Sequence, residues 1–179
     1  MLRSIRAGVA IALVFLTIGP HHAAAQGARS TFNFAAGWAV PTGDFGSFNQ
    51  SGFALVGGLG ISAAGSPIRF RGEASYNQFN HKDTDPFGGS SRAGGFTGNA
   101  IFDFPVSRGS GFTPYAIGGI GLYGTKQDDF ENTAWDVGWN LGGGIRFPLT
   151  GFSVYVEARY HSVSNADVSL APIVFGVQF

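Results

Sequence analysis

The sequence predicts an all-β chain folded as an eight-stranded antiparallel up-and-down transmembrane β-barrel. Three observations carry that expectation. The dominant hydrophobic period is two, the period of a strand. The alternating runs are about ten residues long, as a tilted strand needs to cross a bilayer. Long and short connections alternate along the chain, as in barrels with short turns on one side and longer loops on the other.

The first run sets Phe32, Phe34, Ala36, Trp38 and Val40 on one face, and a stretch of turn chemistry, Pro41-Thr42-Gly43-Asp44-Phe45-Gly46, leads on to about Gly52. In the second, Phe53, Leu55, Gly57, Leu59 and Ile61 share a face, up to a short break at 63–67. The third alternates Ile68, Phe70, Gly72, Ala74 and Tyr76 with Arg69, Arg71, Glu73, Ser75 and Asn77. A polar loop is expected from about Asn80 to Ala93. The fourth run places Phe96, Gly98, Ala100, Phe102 and Phe104 against Asn99 and Asp103, with Ile101 as an exception on the polar side. After a break at 105–111, the fifth run, Phe112 to Tyr123, leaves its faces open. One parity holds Tyr115, Ile117 and Tyr123, the other Ala116, Ile120 and Leu122. A polar loop, Gly124 to Asn132, precedes the sixth run, where Trp135, Val137, Trp139, Leu141, Gly143, Ile145 and Phe147 alternate with Asp136, Asn140 and Arg146. Pro148-Leu149-Thr150-Gly151 reads as a tight turn. The seventh run sets Phe152, Val154, Val156, Ala158 and Tyr160 against Ser153, Tyr155, Glu157, Arg159 and His161; after 162–167 the eighth carries Ile173, Phe175, Val177 and Phe179. Pro41, Pro67, Pro105 and Pro148 fall at run ends, where a residue without an N–H does least harm to a ladder.

Residues 1–25 read as a cleaved signal peptide: Arg3 and Arg6, the apolar run from Ala7 to Ile18, then Ala23-Ala24-Ala25 before Gln26. An N-terminal membrane anchor is the alternative. Residues 26–179 are then the barrel domain. Removing Arg3 and Arg6 from 11 basic residues leaves nine against 11 acidic ones, so no electrostatic footprint for nucleic acid is expected. The chain has no cysteine, which excludes disulfides and thiol chemistry. Beyond the signal no apolar stretch is long enough for a spanning helix, so a membrane reading rests on strands.

Energetics orients the faces. An arginine turned into lipid near the midplane costs about 2–4 kcal/mol, and an eight-stranded barrel is just wide enough for side chains to fill. The charges therefore belong inside, as a polar network among Arg69, Arg71, Glu73, Asp103, Asp136, Arg146, Glu157 and Arg159. Trp38, Tyr76, Trp135, Trp139 and Tyr160 belong outside, at the membrane interfaces.

Pro41-Thr42-Gly43-Asp44-Phe45, Pro114-Tyr115-x-x-Gly118-Gly119-x-Gly121, Gly142-Gly143-Gly144 and Val156-Glu157-Ala158-Arg159-Tyr160 span about 40 to 179 in order. Together with the terminal Ile173, Phe175, Val177 and Phe179 they resemble the OmpA/OmpX-like eight-stranded outer-membrane barrel family. The resemblance implies an outer-membrane location and contact with outer-membrane lipid and lipopolysaccharide. It also implies insertion by the barrel-assembly machinery, which reads the terminal strand. It does not imply one activity.

Each candidate site has a plainer alternative. The interior charges read as an ion path or gate, or as a plug of salt bridges. His161-Ser162-Val163-Ser164-Asn165-Ala166 resembles the His/Ser segment of outer-membrane lipid A deacylases, which would make His161 a base and Ser164 a nucleophile. The spacing is three here where that family has two, and no acidic residue stands at the expected later position. The alternative is a strand-end histidine entering a loop, and on it the chain is not an enzyme. Gly119-Ile120-Gly121-Leu122-Tyr123-Gly124 fits G-x-G-x-x-G, but no helix pattern follows; glycines of a narrow barrel explain it better. Asp83 and Asp85, and Asp128, Asp129 and Glu131, make two acidic loops. With His81 and His161 alone after the signal, no transition-metal set and no cofactor are expected.

The leading functional expectation is a structural or surface-interaction protein contributing to envelope integrity or adhesion, with an extracellular ligand met by the loops. The alternatives are a narrow ion or small-solute channel, the deacylase-like enzyme, and a soluble lipocalin-like carrier, for which Gly37-Trp38 echoes that family's G-x-W.

Overall fold

A computed structural model describes residues 28–81, 90–107, 109–127, 134–164 and 168–179. The expected signal peptide and the acidic loop residues Asp83, Asp85, Asp128, Asp129 and Glu131 lie outside the described residues. Eight strands follow one another: β1 (Ala28–Thr42), β2 (Gly52–Ala63), β3 (Ile68–Asn80), β4 (Ser90–Asp103), β5 (Thr113–Gln127), β6 (Ala134–Pro148), β7 (Ser153–Val163) and β8 (Val168–Gln178). A six-residue helix, α1 (Gly43–Phe48), stands between β1 and β2.

Each strand pairs antiparallel with its neighbours in sequence, and β8 returns to β1, so the sheet is a closed barrel. Phe179 completes the seam. Its N–H donates to the Phe32 carbonyl at 2.9 Å, and the Phe32 N–H donates to its carbonyl at 3.1 Å. Closure leaves no open edge, the condition for strands in hydrocarbon. The connections 64–67, 104–112 and 149–152 gather at one end, the short-turn end by its two four-residue turns. The connection 104–112 is nine residues long, equal to 43–51 and 81–89 at the other end. Gly65 (φ 76°) and Gly151 (φ 88°) take the left-handed backbone that the two tight turns need.

The paired strands run further than the apolar pattern. Ser90 pairs with Asn80 and Ser91 with Gln127, so ladder occupies parts of the stretches expected as polar loops. A ladder needs backbone N–H and C=O groups, not apolar side chains, and so extends beyond the hydrophobic band. The turn expected after β1 instead holds α1.

Parity assigns the faces. Phe32, Phe34, Trp38, Leu59, Phe96, Val137, Leu141 and Phe175 are exposed on the outside, and Ile120 is 70% exposed. The fifth strand, open from its sequence, turns Tyr115, Ile117 and Tyr123 inwards and Ile120 outwards.

Candidate functional site

The interior is the site that the fold builds. Its middle is a closed ring of four charges. Arg71 and Glu73 sit on β3; Glu157 and Arg159 sit on β7, halfway round the barrel. Arg71 Nη2 donates to Glu157 Oε2 at 2.6 Å, and its Nε lies 3.0 Å from Glu73 Oε1. Arg159 Nη1 donates to Glu73 Oε2 at 2.6 Å, and its Nε lies 2.8 Å from Glu157 Oε1. Each arginine thus touches both glutamates, and the ring is neutral. All four are buried, with Glu157 at 1% exposure. Burying ions without partners is prohibitive, so neutral contacts complete the shell. Tyr115 Oη donates to Glu157 Oε2 at 2.7 Å, and Asn99 Nδ2 to Glu73 Oε2 at 2.8 Å.

Inward glycines make room for these side chains. A Cβ on Gly142 would stand 2.7 Å from Arg159 Cγ, and one on Gly58 would stand 2.8 Å from Glu73 Cγ. Gly119 and Gly121, from the G-x-G-x-x-G match, lie within β5, facing Asn99 and Thr97 in the same way. Nothing there forms a nucleotide loop.

Nearer the short-turn end lies a second group. Arg69 donates to Asp103 through Nη2 at 2.7 Å and Nε at 2.8 Å, and Arg146 Nη2 donates to the same carboxylate at 3.0 Å. The expected single network of eight is therefore two separate groups, and Asp136 belongs to neither. It lies on the inward parity near the far end of β6, opposite Tyr123, well away from both groups along the strands.

Towards the long-loop end an apolar cluster sits among polar residues such as Asn77 and Ser91. Phe79, Leu170, Val163, Val168, Ala39, Ala54 and Ala93 are buried there, and α1 lowers Phe45 onto Phe79 edge-to-face at 5.2 Å. Asn49 pins the helix, its Nδ2 donating to the Phe45 carbonyl at 3.0 Å. Sequence reasoning missed this stopper: Phe79 stands in the polar run Asn77-Gln78-Phe79-Asn80, and Phe45 in turn chemistry.

His161 faces inwards and is buried, with Nδ1 2.9 Å from Tyr123 Oη. Ser164 is exposed just past the end of β7, its N–H donating to the Val137 carbonyl. The structure does not bring these two together. Among the described residues no group of three His, Cys, Asp or Glu is placed to hold a metal.

On the outer wall, Trp38, Tyr76, Trp135, Trp139 and Tyr160 are all exposed and lie on the half of their strands nearer the long connections. The other half is lined by Phe32, Phe34, Phe70, Phe102, Phe147 and Phe175. Ile173, Phe175 and Phe179 are likewise exposed on the outside.

Residues 10–179 match the family described as outer membrane protein beta-barrel domain. No curated protein matches the chain. Neisserial surface protein A (NspA) superposes with a TM-score of 0.62 at 16% identity, over 86% of this chain and 98% of that one. The N-terminal β-barrel domain of Pseudomonas aeruginosa OprF gives 0.47 at 18% identity, over 86% and 100%. Ail, the attachment invasion locus protein of Yersinia pestis, in complex with the heparin analogue sucrose octasulfate, gives 0.47 at 16%, over 85% and 97%.

Proposed function

The chain belongs to the outer membrane protein beta-barrel domain family, and from that premise we propose that it works as a closed barrel of the outer membrane. Its role is structural or surface-interacting, in envelope integrity or adhesion. The wall anchors the chain in lipid, and the long-loop end is the working surface.

One observation carries the reading: among the described residues, side chains cross the interior at three heights. Ion pairs join β3 to β7 across the middle, Arg69, Asp103 and Arg146 close in one end, and Phe45 on Phe79 stops the other. A neutral ring held at 2.6–3.0 Å offers a passing ion neither space nor unpaired charge. The non-enzymatic part of the proposal is supported by the separation of His161, inside, from Ser164, outside. A soluble carrier is disfavoured by the same packing: large apolar side chains cover the outside, and the inside holds charge where a carrier holds its ligand.

Planar-bilayer recording combined with loop deletion tests the proposal. The full-length barrel is expected to show no discrete conductance, and deletions within 82–89 or 128–133 are expected to alter cell-surface binding while leaving insertion intact. Stable single-channel steps would contradict it.

A further inference from the structure

The outer wall is finished differently at its two ends. At the long-loop end the strands run on past the Trp and Tyr side chains into polar residues: Asn80 on β3, Ser90 on β4, and Arg92 with its register partner Lys126 on β5. At the short-turn end the apolar wall continues to the turns themselves. Phe104, Val106, Phe112, Leu149, Phe152 and Phe179 are all exposed there. Phe104 meets Phe102 edge-to-face at 5.3 Å, and Phe152 lies against Phe179 at 6.2 Å, so the patch is continuous with the wall above it. The described residues of the connections 64–67, 104–112 and 149–152 include no charged side chain. The charged strand residues at this end, Arg29, Arg69, Asp103 and Arg146, all fall on the inward parity. A large exposed apolar patch marks a surface that something covers.

Height says what covers it. Leu149 lies ten residues from Trp139 along β6 and its turn, and Phe152 lies eight from Tyr160 along β7. At about 3.3 Å per residue and a tilt of about 40°, those spans are roughly 25 Å and 20 Å along the barrel axis. The apolar band of an outer-membrane barrel is about 25 Å tall. With the Trp and Tyr side chains at one interface, the other interface falls at the turns. Their backbone suits a layer poor in water. The Leu149 N–H donates to the Phe152 carbonyl at 2.8 Å, the Phe104 N–H to the Pro114 carbonyl at 3.0 Å and the Ser110 N–H to the Ser107 carbonyl at 3.1 Å. Pro67, Pro105 and Pro148 have no N–H to satisfy.

We propose that the short-turn end is seated in the bilayer, with Phe104, Val106, Phe112, Leu149, Phe152 and Phe179 inserted at the boundary between the acyl chains and headgroups of a phospholipid leaflet. They take the place that a second row of Trp and Tyr fills in barrels with two such girdles. The occupant is lipid because the patch extends the lipid-facing wall with no polar break between them. The proposal rests on the membrane reading of the proposed function, and on its orientation, long loops outwards, the leaflet is the periplasmic one.

The test is power saturation of single nitroxide labels on the full-length barrel in phosphatidylcholine vesicles, with no other protein present. Labels at Val106→Cys and Leu149→Cys are compared with one at Ser51→Cys, exposed at the long-loop end, and one at Ile120→Cys on the lipid-facing wall. Heat-modifiable gel mobility verifies folding of each sample. Oxygen is expected to relax the labels at 106 and 149 several-fold more than a water-soluble nickel chelate does, with the reverse at 51. Nickel relaxation at 106 or 149 as strong as at 51 would overturn the proposal, and is the outcome if a protein partner covers these side chains instead. Should 120 be dry while 106 and 149 are wet, this inference falls and the proposed function stands; should 120 be wet as well, both fall.

Discussion

Arg71 on β3 and Glu157 on β7 meet across the full width of the barrel, with Nη2 and Oε2 2.6 Å apart. The strands share no ladder, so this contact and Arg159–Glu73 tie opposite walls together, while Arg71–Glu73 and Arg159–Glu157 join neighbours on one strand. Removing one member leaves the others charged and dry. Glu157→Ala is expected to lower stability by about 3–5 kcal/mol, read as an earlier urea midpoint in lipid vesicles. An unchanged midpoint would show that the ring carries no stability.

The group nearer the short turns should behave differently. The Arg69, Asp103 and Arg146 side chains keep 12–16% of their exposure, so water offsets part of any loss. Arg146→Gln leaves the Arg69–Asp103 pair complete and should cost about 1 kcal/mol or less. Asp103→Asn leaves two guanidinium groups facing each other and should cost more. The two midpoints, measured side by side, check the order.

Two glycines on opposite faces should respond differently. A Cβ at Gly142 would press on the Arg159 side chain and backbone, whereas one at Gly98 meets nothing within 4 Å. Gly142→Ala should therefore reduce folding yield and stability. Gly98→Ala, on the lipid side, should be neutral or slightly stabilising, within about 0.5 kcal/mol. Comparable losses at both positions would mean that the face assignment is wrong.

The deacylase-like segment gives a clean negative expectation. Vesicles of lipid A containing the barrel should release no acyl chains above background, and His161→Ala should leave that background unchanged. Release that disappears in His161→Ala would establish the enzyme instead.

These expectations depend on details that were unevenly legible in the sequence. Strands β3, β6 and β7 declare their faces, because charged, polar or glycine positions alternate with aromatic or aliphatic ones along most of their length. β5 does not: Tyr115, Ile117 and Tyr123 are as apolar as Ile120 and Leu122, so a period of two carries no contrast. The reason is visible in the fold, where the inward tyrosines place rings in the core and hydroxyls on Glu157 and His161. The division of the charges in two was hidden as well, since parity says that Asp103, Asp136 and Glu157 face inwards but not at what height. Height comes from register, which no single strand contains. The apolar stopper escaped for a related reason: Phe45 and Phe79 are far apart in sequence, and each stands alone among polar neighbours. Arg92 and Lys126 fell in stretches expected as loops, so their cross-strand pairing appeared only once the ladder was seen to extend past the apolar band.

The central claim is that the phenylalanine-rich side touches hydrocarbon and the charged side does not. Because the chain has no cysteine, single nitroxide labels can be placed without background. Labels at Ile120→Cys and Ile117→Cys, neighbouring positions of β5 on opposite faces, are compared by power saturation with oxygen and with a water-soluble nickel chelate. The account predicts strong oxygen and negligible nickel relaxation at 120, with weak relaxation by both at 117. Strong nickel relaxation at 120 would contradict it.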